Sequence, residues 1–348
     1  MSATLPAVIA ATGPAVATES DRVQTLRGLA CLLLVAFHVI GTDPAAGLRV
    51  DDESWYRAFA EAFRPLRMPL FTFLSGLVYA WRPLDPASSA LFARKKVLRL
   101  LVPLLVVTAL MVVVQSAVGA SNARLPPERM WEAFVYPYMH LWFLQAMLVI
   151  FAALLALERC GLLATPRRFA TVFAVIAGIH LCLPYLPAGV PRAFSIENAL
   201  YLAPFFLAGL AAHRFRAFVR QPALQRAAVA AFAALITLHV LATLDVFGAP
   251  AERFTPFGLA LSTSAALTLL HQMPGLRWLA WIGAYSFTIY LHHVFFTAGT
   301  RIALERAGVA DLELHFVLGL VAGIAGPIAI EFAAKRHRAA RRILLGQS

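Results

Sequence analysis

About ten apolar runs, each roughly long enough to cross a bilayer, follow one another through this sequence. They lie near 23–41, 66–81, 97–118, 139–157, 169–187, 198–212, 226–247, 256–272, 279–299 and 312–333. Within a bilayer every backbone N–H and C=O must be satisfied inside the protein, so a chain of such runs is confined to helices. The fold class read from them is an all-α, polytopic membrane helical bundle of about ten transmembrane helices. The second, sixth and eighth runs are short, and each is expected to tilt little or to continue into an interfacial turn. Composition agrees: 60% of the 348 residues are hydrophobic and 14% charged, with a mean hydropathy of +0.74, whereas soluble domains carry about 25% charged residues.

The formal charge of +12 raises nucleic acid as a partner, but the distribution of the cations argues against it. With an even number of spans both termini lie on one side. Sorted by that topology, about twenty of the 30 Lys and Arg fall on the terminus-bearing side. The positive-inside rule makes that side, with both termini, cytoplasmic. The basic excess is thus mainly an orientation signal, and the localisation expected is the cell inner membrane. Residues 1–21 read as a loose cytosolic tail, 22–334 as the transmembrane domain and 335–348 as a basic cytosolic tail. The first twenty residues contain no Lys or Arg, unlike the basic start of a signal peptide. Cys31, Cys160 and Cys182 are scattered and suit neither a disulfide framework nor a metal site. The longest loops run to about 20–25 residues, which leaves the bundle and its mouths as the place for any chemistry.

The first span holds the sharpest chemical signal. Arg27 and His38 are separated by ten residues, and eleven helical steps of about 100° return to nearly the same face about 16 Å further along. Ionisable groups within a membrane face the protein interior and are functional candidates. An imidazole can take a proton from a hydroxyl near neutral pH, and a guanidinium can hold a phosphate or oxyanion. The plainer alternatives are an Arg that snorkels and a His that hydrogen-bonds a neighbouring helix.

Four further clusters follow. Arg67-Met68-Pro69-Leu70-Phe71 opens the second span, with Pro69 suited to a first helical turn and Arg67 at the outer mouth. Ser75-Gly76 makes a notch for another helix or a thin ligand. The run Arg94-Lys95-Lys96-Val97-Leu98-Arg99 offers several cations to the phosphates of a nucleotide-like donor, or to anionic headgroups of membrane lipid. His140-Leu141-Trp142 opens the fourth span, where Trp142 is either an interfacial anchor or a platform for a sugar ring. Ser286, Tyr290 and His293 share one face of the ninth span, while Asp245 and Glu331 are further costly acidic groups. HExxH, GxSxG, Walker A and CxxC patterns do not occur, so metal hydrolysis and ATP-driven transport lack support, and no metal ligands are expected.

Taken in order, these five blocks resemble the acyltransferase-3 family of integral membrane acyltransferases over roughly 22–334. The pair Arg27 and His38 is similar to that family's R-x10-H motif, and the others follow in the order the family shows. The resemblance implies a stand-alone O-acyltransferase, similar to the polysaccharide O-acetyltransferases. It would move an acyl group from cytosolic acyl-CoA, usually acetyl-CoA, to a hydroxyl of an envelope or exported glycan; no permanently bound cofactor is implied. By that analogy His38 activates the acceptor hydroxyl or helps relay the acyl group, and Arg27 positions the acceptor or the donor thioester. Arg94, Lys96 and Arg99 contact the coenzyme A phosphates, and Arg67, Ser75, Trp142, Tyr290 and His293 line the substrate pocket. Homo-oligomers and envelope-synthesis proteins are the protein partners in keeping with it. The competing function is a transporter or exporter of a glycan or small acyl compound, with His38, Asp245 and His293 as a proton relay. Against it stands the want of a visible half-to-half repeat.

Overall fold

The computed structural model describes residues 18–82, 89–118, 125–186, 192–346. Among them every regular element is helical, and each of the ten apolar runs overlaps a helix, the ninth taking in the short helix Arg277–Ala284 before the one that follows it. These are α1 (Glu19–Ile40), α2 (Arg64–Trp81), α3 (Val102–Ala117), α4 (Trp142–Arg159), α5 (Pro166–Cys182), α6 (Ile196–Arg214), α7 (Pro222–Thr243), α8 (Pro256–Gln272), α9 (Ser286–Arg306) and α10 (Leu312–Ala334). Seven helical stretches among the described residues are long and apolar enough on their own to cross a membrane. The exceptions are α2, α8 and α9. At 17 residues α8 is short, while α2 begins with Arg64 and Arg67 and α9 carries Thr288, Tyr290, His292 and His293. The polar groups of α2 and α9 lower their hydropathy.

Helix starts follow local chemistry. Thr18 and Asp21 form a capping box at α1, so the helix takes in residues 19–21, which the sequence assigned to the tail; most of that tail lies outside the described residues. Thr165, Thr255 and Asp311 cap α5, α8 and α10 through their side-chain oxygens. Before α3, Ser89–Lys96 is helical and Val97–Leu101 forms a π-turn. Pro103 has no N–H for the carbonyl of Arg99, and the Val102 N–H reaches back five residues to Val97 instead.

Two glycine contacts fix the helices that frame the site. A Cβ on Gly76 would lie 2.0 Å from the Phe206 carbonyl oxygen, and one on Gly209 would lie 1.9 Å from that of Phe73. The Ser75-Gly76 notch therefore admits α6 rather than a ligand at Gly76. In the same way Gly28 and Gly283 press α1 against the short helix Arg277–Ala284.

Prolines expose carbonyls that neighbouring helices then satisfy. Pro69 lies inside α2 and Pro65 occupies the first turn, correcting the expectation for Pro69. The carbonyl of Pro65, four residues before Pro69, accepts from the Ser262 hydroxyl of α8 at 2.7 Å. Pro204 likewise frees the Leu200 carbonyl of α6, where buried His180 of α5 bonds the Leu200 and Tyr201 carbonyls, the latter at 3.1 Å. The acidic groups also find places: buried Glu331 accepts from Thr288 and pairs with Lys335 at 2.8 Å. Asp245 lies beyond the end of α7 in an exposed turn, not within the span. After α10 the basic tail forms a helix, Arg338–Leu345, whose last residue is fully buried.

Candidate functional site

Near the C-terminal end of α1, three imidazoles meet. The rings of His38 and His293 lie 4.7 Å apart, those of His140 and His293 4.9 Å, and those of His38 and His140 6.0 Å. His140 comes from the turn before α4 and His293 from the middle of α9, and both are buried.

The carbonyls around them fix the protons. A carbonyl only accepts, so a ring nitrogen facing one carries hydrogen. His293 Nδ1 lies 2.9 Å from the Ile289 oxygen and 3.0 Å from that of Tyr290, so it donates there and leaves Nε2 as a lone pair. That lone pair is 3.1 Å from His38 Nδ1, which also lies 2.9 Å from the Leu34 carbonyl. His38 Nδ1 is thus the protonated nitrogen, shared between Leu34 and His293 in a three-centre bond. Its Nε2 carries the lone pair and has no protein partner among the described residues. His140 donates from Nε2 to the Leu291 carbonyl at 3.2 Å and accepts the Tyr290 hydroxyl on its own carbonyl.

His38 is half-buried because it borders a cavity of about 350 Å³. That volume falls in the range of small-molecule sites. The walls come from the turn after α1, the far ends of α3 and α9, and the start of α10. Val39, Met111, Val114 and Phe295 supply apolar surface, while Thr42, Asp43, Gln115, Thr297 and Arg301 supply polar groups. The Thr42 hydroxyl, and then the Ala45 amide, hydrogen-bond Asp43 and hold its carboxyl below the usual range, so the mouth carries a fixed negative charge. Buried Arg57 ties this turn together through the Gly41 and Val50 carbonyls. At Gly41, with φ of +100°, a Cβ would meet the Ala46 oxygen at 2.2 Å, so the rim requires glycine there.

Arg27 lies toward the other, basic end of α1, half-buried. It has no hydrogen-bond or ion-pair partner among the described residues and is repelled by Arg99. Lys96 stacks 3.7 Å from the centre of the Phe151 ring, and Arg94 is exposed. Near the His38 end, Arg67 is buried with its Cζ 3.7 Å over the Phe37 ring. The Ser75 hydroxyl donates to the Phe71 carbonyl of its own helix at 2.8 Å, and Trp142 faces Arg253 at 5.5 Å.

The structure thus brings together His38, His293 and Tyr290, and keeps Arg27 with Arg99 at the opposite end. Of the residues the sequence marked, only His38 borders the 350 Å³ cavity; Arg67, Ser75, Trp142, Tyr290 and His293 do not. Sequence reasoning passed over His140 in favour of its neighbour Trp142, although a histidine in a span-opening apolar block was the same signal as His38. It also passed over Arg57, Gln115 and Arg301, which lie at helix ends where polar residues carry little information. Among the described residues no group of three or more His, Cys, Asp or Glu is arranged to hold a metal ion.

No curated protein and no solved structure was found to match the chain. A family model described as an acyltransferase domain matches residues 21–332, spanning α1 to α10 and every residue of the histidine cluster. With that match over the whole bundle, the chain belongs to the acyltransferase-3 family of membrane acyltransferases.

Proposed function

We propose that this multi-pass membrane protein is an O-acetyltransferase of the cell inner membrane. It moves an acyl group, acetyl in our reading, from cytosolic acyl-CoA to a hydroxyl of an envelope or exported polysaccharide. The observation that carries this reading is the tautomer of His38: its Nδ1 proton is held by Leu34 and His293, leaving Nε2 as the free lone pair of a residue that lines a ligand-sized cavity.

The acceptor hydroxyl enters that cavity from the non-cytoplasmic face. His38 Nε2 removes its proton as the oxygen attacks the thioester carbonyl carbon. The carbon–oxygen bond forms, the carbon–sulfur bond breaks, and His38 returns the proton to the departing thiolate sulfur. While His38 is an imidazolium, His293 Nε2 accepts from its Nδ1–H and stabilises the charge. His293 is a positioning residue in this scheme, weaker than a carboxylate because it is neutral.

At the basic end, Arg27 and Arg99 repel each other, and a phosphate between them relieves that repulsion. Arg94 and Lys96 add positive charge along the same approach. The roughly 16 Å between Arg27 and His38 along α1 is the span that the long pantetheine arm of coenzyme A bridges.

The reading is tested by comparing envelope and exported glycans from wild-type and deletion cells by NMR, before and after mild alkali. An alkali-labile acyl signal lost on deletion and restored by the wild-type gene supports it. Identical spectra from the two strains refute it.

A further inference from the structure

The cavity beside His38 has a second imidazole in its wall. His315, in the first turn of α10, lines it together with His38 and is 9% exposed. Helix register puts it there. A Cβ on Gly323 would meet Val35 at 2.6 Å, and one on Gly319 would meet Val39 at 3.0 Å, so α1 and α10 run antiparallel. One more turn back along α10, about 6 Å, brings His315 opposite the turn that carries Asp43, which lines the same cavity. A carbonyl only accepts, so His315 Nε2 donates to the Val309 oxygen at 2.9 Å. That leaves Nδ1 as a lone pair with no protein partner among the described residues. Unlike the unpartnered Nδ1 of His140, it is not sealed away from water, so the cavity that His315 borders is where a donor can reach it. The transfer step makes no use of this group.

The wall thus offers two imidazole lone pairs, His38 Nε2 and His315 Nδ1, and each wants an O–H or N–H. Gln115 supplies the opposite. The Tyr138 hydroxyl donates to its Oε1, and its amide N–H groups have no acceptor among the described residues. The charges at the rim cancel. Arg301 is held by Glu305 at 2.7 Å, and Arg49 reaches the same carboxylate at 3.5 Å, while Asp43 balances the second cation. No lining cation is left over for an acidic substituent. A sugar hydroxyl both donates and accepts, and the C–H faces of a sugar ring suit Val39, Met111 and Phe295.

We propose that His315 is a specificity-determining residue of the acceptor site, accepting from a second hydroxyl of a neutral sugar whose first hydroxyl His38 deprotonates. Two fixed acceptors at separate points of the wall hold the ring in one orientation, so one hydroxyl reaches His38 and its neighbours do not. Loss of the contact leaves a sugar hydroxyl unpaired and lets the ring turn. That the occupant is the acyl acceptor rests on the acyltransferase reading, whereas the two lone pairs in one cavity stand on their own geometry.

Two substitutions separate the contact from the scaffold. In His315→Asn an amide oxygen stands near the place of Nδ1, and the bond to Val309 is given up. In His315→Gln an amide nitrogen keeps the Val309 bond, and the lone pair is given up. Wild type and both variants in phosphatidylcholine nanodiscs are titrated calorimetrically, without donor, with the methyl glycosides of glucose, galactose, mannose and rhamnose and with methyl glucuronide. Saturable binding of a neutral glycoside is expected, at least about tenfold tighter than that of glucuronide. It weakens about tenfold in His315→Gln and stays within about threefold in His315→Asn, although the Asn variant melts at the lower temperature. With acetyl-CoA added, NMR of the product shows one ester position for the wild type and a mixture for His315→Gln. Unchanged affinity in His315→Gln overturns the assignment, as does a loss in His315→Asn as large as in His315→Gln, which reduces His315 to a tie to Val309. Glucuronide binding as tight as any neutral glycoside, or no binding by any neutral glycoside, overturns the neutral-sugar class. If the wild type binds in the expected pattern yet forms no ester, the subsite stands and the acyltransferase reading fails. An ester formed with unchanged affinity and position in His315→Gln keeps that reading and refutes the role of His315.

Discussion

Replacing His293 by Phe removes one hydrogen-bond acceptor from His38 while keeping an aromatic ring in a fully buried position. Two effects follow from the geometry. The proton on His38 Nδ1 keeps the Leu34 carbonyl at 2.9 Å, so the catalytic tautomer survives. What is lost is the 3.1 Å partner that stabilises the imidazolium during transfer. A neutral hydrogen bond is worth about 0.5–1.5 kcal/mol, and one to a charged group about 1.5–3 kcal/mol. The second value applies only while His38 carries the proton and the first is lost from the ground state, so the barrier rises by the difference, about 1–1.5 kcal/mol, a roughly fivefold to tenfold loss in kcat. The acceptor cavity is not bordered by His293, so KM for the acceptor stays within about twofold. His293→Gln, which offers an amide oxygen at the same place, recovers part of the rate. The assay is steady-state kinetics on protein in nanodiscs with acyl-CoA and purified acceptor. A wild-type kcat for His293→Phe refutes the account of His38, as does a loss confined to KM or no recovery with Gln.

Three further outcomes are expected. Arg27→Gln raises KM for acyl-CoA by tenfold or more while Arg27→Lys costs less, because a phosphate between Arg27 and Arg99 loses one of its two cations; donor titration at saturating acceptor checks this. Ser262→Ala leaves the Pro65 carbonyl without its 2.7 Å partner and lowers stability by about 1–3 kcal/mol, read as a drop in the melting temperature of detergent-solubilised protein. Gly76→Val drives a methyl-bearing carbon toward the Phe206 carbonyl, 2.0 Å from the ideal Cβ, and destabilises by about 1–3 kcal/mol or more; Gly178→Ala, where nothing lies within 4 Å, is the neutral control in the same melting series.

The ten helices were legible because a bilayer leaves so few alternatives, and most boundaries fell within a few residues of the apolar runs; the ninth run, 279–299, instead took in the short helix Arg277–Ala284 and stopped seven residues before the end of α9. The Arg27–His38 stripe was legible because both residues sit on one helix, where spacing alone sets geometry. What sequence could not supply was contact between helices. That His293 faces His38 rather than lining the pocket depends on the crossing of α1 and α9. Arg67 beneath Phe37 depends on α2 packing beside α1. Pro69 misled for a related reason: a proline inside a helix is tolerated when another helix satisfies the carbonyl it frees, and Ser262 lies almost two hundred residues away. The cavity was invisible because its rim comes from helix ends and turns, where Gly41 and Asp43 look like ordinary loop residues.

The central claim is that His38 is the base that activates the acceptor hydroxyl for acyl transfer. The most direct measurement is ester formation from radiolabelled acetyl-CoA in membranes containing equal amounts of inserted wild-type or His38→Ala protein. The account predicts acetyl-CoA-dependent, alkali-labile labelling of the glycan by the wild type and a loss of roughly a hundredfold to ten-thousandfold in the variant. Labelling at the wild-type rate by folded His38→Ala protein contradicts it.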